Sequence, residues 1–396
     1  MPPLRVAVIG LGTTGSMALW QLSRSPDVEV IGLEQFGLGH GYGAFTGETR
    51  LFRTAYHEGA KYVPLLQRAR ELWRQLGQAV GRELFHPYGV LTVGREDSAP
   101  FQRLLASVAT HDLPHQRLDV GQLRRRYPGL DFREDEAGVF DELGGALRPE
   151  LAVLSAVEQA QENGAAVHDH EPVLGISDTG EGVIVTTARR QLTVDRVIVT
   201  AGSWVTGLFP QIADLVEVRK MVLTWFLPRI SSDFEPARLP CFIRDRDGFH
   251  IFGAPCVDGY SVKIAAMDRW GTPDTERVEQ ADLHLDPDEV SDFGSQVSRL
   301  FPGVQPEPNR FSVHFDTFTA SRDPIIDRVG DVVVVAGLSG HGFKLAPVIG
   351  ELARDLAVTG RAEGRHPDFT LAAHRPIREG TDPGPAWPQK IVRDRA

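Results

Sequence analysis

Along the chain, runs of apolar residues alternate with stretches of helical spacing. Val6 to Ile9 is a continuous apolar run that stops at Gly10, and apolar positions then recur at Met17, Ala18, Leu19 and Leu22. A short apolar run bounded by turn residues predicts a buried strand, and the shift to helical spacing predicts a helix behind a tight turn. A second run, VEVIGLE, ends in Glu34. Strand-to-turn patterns return at Val197–Thr200, which runs into Ala201-Gly202-Ser203-Trp204, and at Asp331–Ala336, which runs into GLSGHGFKLAP and the helix-like VIGELARDLAV. Leu151, Val153, Leu154, Ala156, Val157 and Ala160 predict a helix, and GVIVTTARRQLTVD predicts a hairpin. Between about Val216 and Val313 the pattern becomes strand-like in VRKMVLTWFLP, CFIRDRDGFHIFGAP and GYSVKIAAM, with Asp247-Gly248 as a hairpin turn. The expected fold class is therefore α/β (α+β), a parallel part interrupted by a mainly antiparallel one. The segment after about His374 reads as irregular because proline and glycine break any period.

The length of 396 residues allows two domains, each with its own core. A net charge of -11 argues against non-specific nucleic-acid binding. No apolar run is long enough to span a bilayer, and the first strand-like segment begins too early to leave room for a signal peptide. Two cysteines, Cys241 and Cys256, make neither a disulfide framework nor a zinc site, so a cytoplasmic setting is expected.

The chemistry begins at Gly10-Leu11-Gly12-Thr13-Thr14-Gly15. Gly10 permits the turn, Gly12 lets a pyrophosphate approach the backbone, and Gly15 lets helix and strand pack closely. The helix N-terminus then offers free N–H groups to phosphate. Glu34 ends the next strand, where a carboxylate accepts hydrogen bonds from ribose hydroxyls. The four features together predict a dinucleotide site, though the loop alone does not separate FAD from NAD. After it, Gly37 to Gly47 excludes a helix interior, and Arg50 and Arg53, three apart, would share a helical face. They read either as solvated surface or as an anion clamp. Lys263 alternates with Val262 and Ile264, which by pattern alone turns it to solvent. His168 and His170 suggest no third metal ligand. Asp286 reads as a helix start and not as part of a calcium loop.

In order along nearly the whole chain, the glycine loop, Glu34, GETRLFRTAYHEG, YVPLLQRARELW, GVLTVG, VIVTAGSW, DPIID and GLSGHGFK resemble the monomeric sarcosine oxidase and N-methyltryptophan oxidase family of FAD-dependent amine oxidases. The resemblance implies an FAD domain from residues 1–80, 150–215 and 320–396 and a substrate domain from 81–149 and 216–319. It implies that Arg50 lies beside the flavin, that Arg53 and Lys344 hold a substrate carboxylate, and that Lys263 assists oxygen. Gly202, Gly340, Gly342 and Phe343 would approach the cofactor with Lys344. Three positions depart from the family. Met267 and Phe252 stand where the family carries histidine and tyrosine, which implies a more apolar pocket and a substrate other than sarcosine. His314 replaces the cysteine that bonds the flavin, so non-covalent FAD is expected. The implied partners are a small amine or amino acid and O2, with no nucleic acid and no membrane, and the implied state is a monomer. Rival readings are an amine dehydrogenase, a biosynthetic cyclic amine or imine oxidase, and a non-catalytic nucleotide-binding protein.

Overall fold

The computed structural model describes residues 2–56, 58–266, 269–270 and 278–377. Met267 therefore lies outside the described residues, as does most of the segment after His374.

The expected buried strands assemble side by side. Leu4–Ile9 is flanked in parallel by Val28–Leu33 and Arg196–Val199, and these are flanked in turn by Ala166–His168 and Val332–Ala336. Ile325–Val329 closes the edge antiparallel, giving a six-stranded sheet. Strand-to-helix turns at the carboxyl ends of such strands define the crevice where ligands of parallel sheets bind. Two helices that leave those turns, Thr13–Ser23 and Gly342–Thr359, pack directly on each other. Their approach is close enough that a Cβ on Gly350 would lie 2.7 Å from the Ala18 nitrogen. Both helix N-termini are thereby brought to the same end of the sheet.

The second sheet has eight strands. At one edge the long strands Val216–Pro228 and Val304–Thr319 pair antiparallel, placing Lys220 opposite Phe315 and Arg219 opposite Asp316. The Cys241–Arg246 and Phe249–Ala254 hairpin turns at Asp247 (φ 53°) and Gly248 (φ 77°), the two left-handed residues of a type I′ turn. Val262–Ala266 lies between Val216–Pro228 and Phe249–Ala254 and is buried along its whole length, Lys263 included. The alternation that would turn Lys263 to solvent does not apply, because both faces of this strand are covered. Two three-stranded sheets complete the strands of the described residues. One contains the expected Val183–Thr187 and Gln191–Val194 hairpin, extended by Val173–Asp178.

Candidate active site

The N-terminal loop has the form its glycines require. Gly10 sits at φ 86°, and a Cβ on Gly15 would come within 1.8 Å of the Gly10 carbonyl oxygen, so helix and strand touch there. Gly12 meets only the Phe45 ring, at 3.5 Å, and lines an open groove. Helix Thr13–Ser23 begins at Gly12 without a side-chain cap, which leaves its first N–H groups to a ligand. Glu34 is buried. It accepts the Leu11 N–H at 2.8 Å and the Phe36 N–H at 3.0 Å, and it lines the same groove. The groove, about 390 Å³, continues along Thr13, Thr14 and Gly202. A glycine-floored groove that ends on an uncapped helix and a buried carboxylate fits the diphosphate and ribose of a dinucleotide.

A second cavity of about 450 Å³ adjoins it, and Thr13, Ala44, Asp316 and Leu338 belong to both walls. Arg50, Arg53, Phe252, Gly340, Gly342, Phe343 and Lys344 line it. The two arginines do not share a helical face, as their spacing suggests. Arg50–Phe52 is instead a strand paired with Gly145–Leu147, and Arg53 follows its end. Pairing to that neighbour satisfies the backbone in an extended form, while Asp141 accepts the Thr54 and Ala55 N–H groups and turns the chain sharply after Arg53. Both guanidinia reach the cavity all the same. Arg50 donates to the carbonyls of Ala44, Thr46 and Thr49, which folds the glycine-rich loop around it. Burial lowers its pKa to about 10. Arg53 stacks over Tyr56 and forms an ion pair with Glu58 at 2.5 Å.

Lys344 comes from the first turn of helix Gly342–Thr359, whose N-cap His341 supplies no side-chain bond. Its Nζ donates to the His341 carbonyl at 3.2 Å. Burial, then the charges of Arg53 and Arg50, lower its pKa to about 7. His341 itself bonds Tyr56 and the Arg322 carbonyl through its two ring nitrogens, and burial lowers its pKa to about 4.

Lys263 and His314 line neither cavity. Lys263 Nζ donates to the carbonyls of Gly47 (2.9 Å) and Thr49 (2.7 Å), within the loop that Arg50 holds. Burial, then Arg50, pushes its pKa well below the usual lysine value. His314 uses both ring nitrogens, toward Thr46 (3.2 Å) and Ser312 (2.8 Å), and burial lowers its pKa to about 3. Phe343 stacks on Trp73 with ring centroids 5.5 Å apart.

The chain matches the DAO family, described as FAD dependent oxidoreductase, over residues 5–356. The chain belongs to this family. Among curated relatives, this FAD-dependent oxidoreductase is 34% identical to the monomeric sarcosine oxidase of Streptomyces avermitilis over 374 residues, covering 91% of this chain and 94% of the relative. It is 32% identical to the N-methyl-L-tryptophan oxidase of Yersinia pestis over 351 residues, covering 87% and 92%. Among solved structures it superposes on NikD, an unusual amino acid oxidase essential for nikkomycin biosynthesis, with a TM-score of 0.81 at 20% identity, covering 93% and 98% of the chains. The last likeness is one of fold. The family's FAD suits the groove described above. Sequence reasoning missed Glu58 and Asp316, which also line the cavity. Asp316 lies two residues beyond His314 on one strand, so period-two spacing from the singled-out histidine was the available signal.

Proposed function

We propose that this enzyme is an FAD-dependent oxidase of the C–N bond in an amino acid or a related secondary amine carrying a carboxylate, working as a cytoplasmic monomer. The cavity joined to the dinucleotide groove carries this reading, because Arg53 and Lys344 converge on it from distant parts of the chain. When bound, FAD supplies the two-electron acceptor that O2 regenerates, with peroxide as the expected product. We read residues 1–80, 150–215 and 320–396 as its domain, and 81–149 with 216–319 as the substrate domain.

Arg53 is the proposed carboxylate ligand. Glu58 already places a carboxylate on it, so a substrate carboxylate would exchange with Glu58. Lys344 contributes the second cation, and the uncapped helix start beside it favours negative charge. Phe252 gives the cavity an apolar wall. Holding the substrate by its carboxylate fixes the bond to be oxidised, which is the protein's main contribution. Lys263, on the loop side of the same region, is the proposed aid to oxygen reduction. Its two carbonyl acceptors favour the charged ammonium against burial.

Stopped-flow mixing of the holoenzyme with N-alkyl, cyclic and primary L- and D-amino acids tests both points. Bleaching of the flavin without air, and its recovery with peroxide in air, are expected for at least one substrate. Lys263→Met is expected to slow recovery by about a hundredfold or more while bleaching changes little. An enzyme that bleaches but stays reduced in air is a dehydrogenase. A protein that no amine bleaches is not an amine oxidase.

A further inference from the structure

Asp316 is a carboxylate the proposed reaction does not yet use. It is 9% exposed and forms wall in both the dinucleotide groove and the adjoining cavity. Its oxygens accept one backbone N–H each, from Thr317 (2.8 Å) and Gly340 (2.9 Å). A carboxylate has about four acceptor sites, so two N–H donors leave capacity for a further donor. A buried anion at the junction of a cofactor groove and a substrate cavity is costly unless a cation completes it. The charges of Arg50 and Lys344 act on it. Among the described residues, however, its hydrogen-bond donors are those two backbone N–H groups, and the donors of the nearby cations point to other acceptors. Arg50 is bonded to three carbonyls, Lys344 bonds the His341 carbonyl, and Arg219, opposite on the neighbouring strand, pairs with Glu217.

We propose that Asp316 is the residue that receives the ammonium or amine end of the substrate, so that the cavity is complementary to a zwitterion, with Arg53 and Lys344 at its carboxylate and Asp316 at its nitrogen. The inference rests on the functional reading above and deepens it: the substrate class is an α-amino acid whose nitrogen enters charged. Simple carboxylates and simple amines would each satisfy only one end. Burial raises the Asp316 pKa to about 6, against the lowering pull of the Gly340 and Thr317 N–H groups and of Arg50 and Lys344. The charged groups acting on it are Arg50 from the Arg50–Phe52 strand and Lys344 from the C-terminal helix. His341 lines the same cavity, Arg219 is its register partner on the neighbouring strand, and His314 lies two residues before it on its own strand.

Two ligands of one shape separate charge from fit. Trimethylglycine carries a carboxylate and a permanent ammonium with no lone pair to oxidise, and 3,3-dimethylbutanoate is its uncharged-head isostere. Both are titrated into the FAD holoenzyme and followed by the flavin absorbance. Asp316→Asn is expected to weaken trimethylglycine, which has no N–H and meets Asp316 through charge alone, by about tenfold to a hundredfold and to leave 3,3-dimethylbutanoate unchanged. Wild-type enzyme should lose the preference for trimethylglycine as pH falls through about 6, as Asp316 protonates. This second measurement decides the matter if the variant does not hold FAD. Equal weakening of both ligands, no weakening of either, or a pH-independent ratio overturns the proposal. The oxidase reading fails separately, when no amino acid bleaches the wild-type flavin, and the ligand ratio is read regardless of that result.

Discussion

At the scale of single residues, the site is a contest between burial and charge. Lys344 and Arg53 are both nearly enclosed and face each other's positive charge, which is why Lys344 has its pKa lowered to about 7. A lysine at that value is charged below neutrality and loses its proton above it. Carboxylate affinity should therefore be fully present at about pH 6 and fall as pH rises through about 7, with the bound anion moving the midpoint upward. Titrating acetate into the holoenzyme across that range checks this, and Lys344→Met should remove the pH-dependent limb while lowering affinity throughout. A flat profile in the wild type would count against Lys344 as a carboxylate ligand and leave binding to the arginines of the cavity. The same contest limits what sequence could reveal here. Arg53, Lys263 and Lys344 were marked by the family resemblance, since by pattern alone Arg53 reads as surface or as an anion clamp and Lys263 as solvent-facing. Glu58 and Asp316 were not, because an acid in a loop or near a strand end reads as an ordinary surface residue until the cavity walls are known.

At the scale of elements, the strand-to-helix turn at the N-terminus sets where the cofactor's phosphates would lie, and two of its glycines do different work. A Cβ at Gly15 would fall 1.8 Å from the Gly10 oxygen, so Gly15→Ala must push helix Thr13–Ser23 off its strand. That helix also supports Gly342–Thr359, so both helix starts would move together. At Gly12 a Cβ meets only the Phe45 ring at 3.5 Å, and the added methyl would protrude into the groove. Gly15→Ala is thus expected to lower stability by about 1–3 kcal/mol and to lose FAD. Gly12→Ala should keep the apo-protein's melting temperature and lose FAD affinity alone. Thermal unfolding of the apo-proteins, alongside the flavin-to-protein absorbance ratio after purification, distinguishes them. Buried strands and helices were legible in the apolar periods, and so was the hairpin at Asp247 and Gly248. The Arg50–Phe52 strand was not, since three residues show no period and the segment is extended only because Gly145–Leu147 lies beside it.

At the scale of the whole molecule, the groove and cavity are assembled from segments that sequence order keeps far apart: the first strands, the glycine-rich loop, the Gly202 turn, the long strand carrying His314 and Asp316, and the last helix. Their order could be read from motifs, but the meeting of Arg53 with Lys344 depends on the packing of elements at the two ends of the chain. A ligand gripped by so many segments stabilises all of them at once, by about 2.7 kcal/mol at a hundredfold excess over its Kd. How FAD is retained then depends on His314. Either ring nitrogen would have to give up a hydrogen bond, to Thr46 or to Ser312, before it could bond a flavin carbon. With both nitrogens engaged and no cysteine at that position, attachment should be non-covalent. Acid precipitation of the purified holoenzyme is expected to leave a colourless pellet and a yellow supernatant whose flavin co-elutes with FAD, and adding FAD back to the apo-protein should raise its melting temperature in a concentration-dependent way. A pellet that stays yellow would show a covalent bond, and release of the flavin from His314→Ala would place that bond at His314.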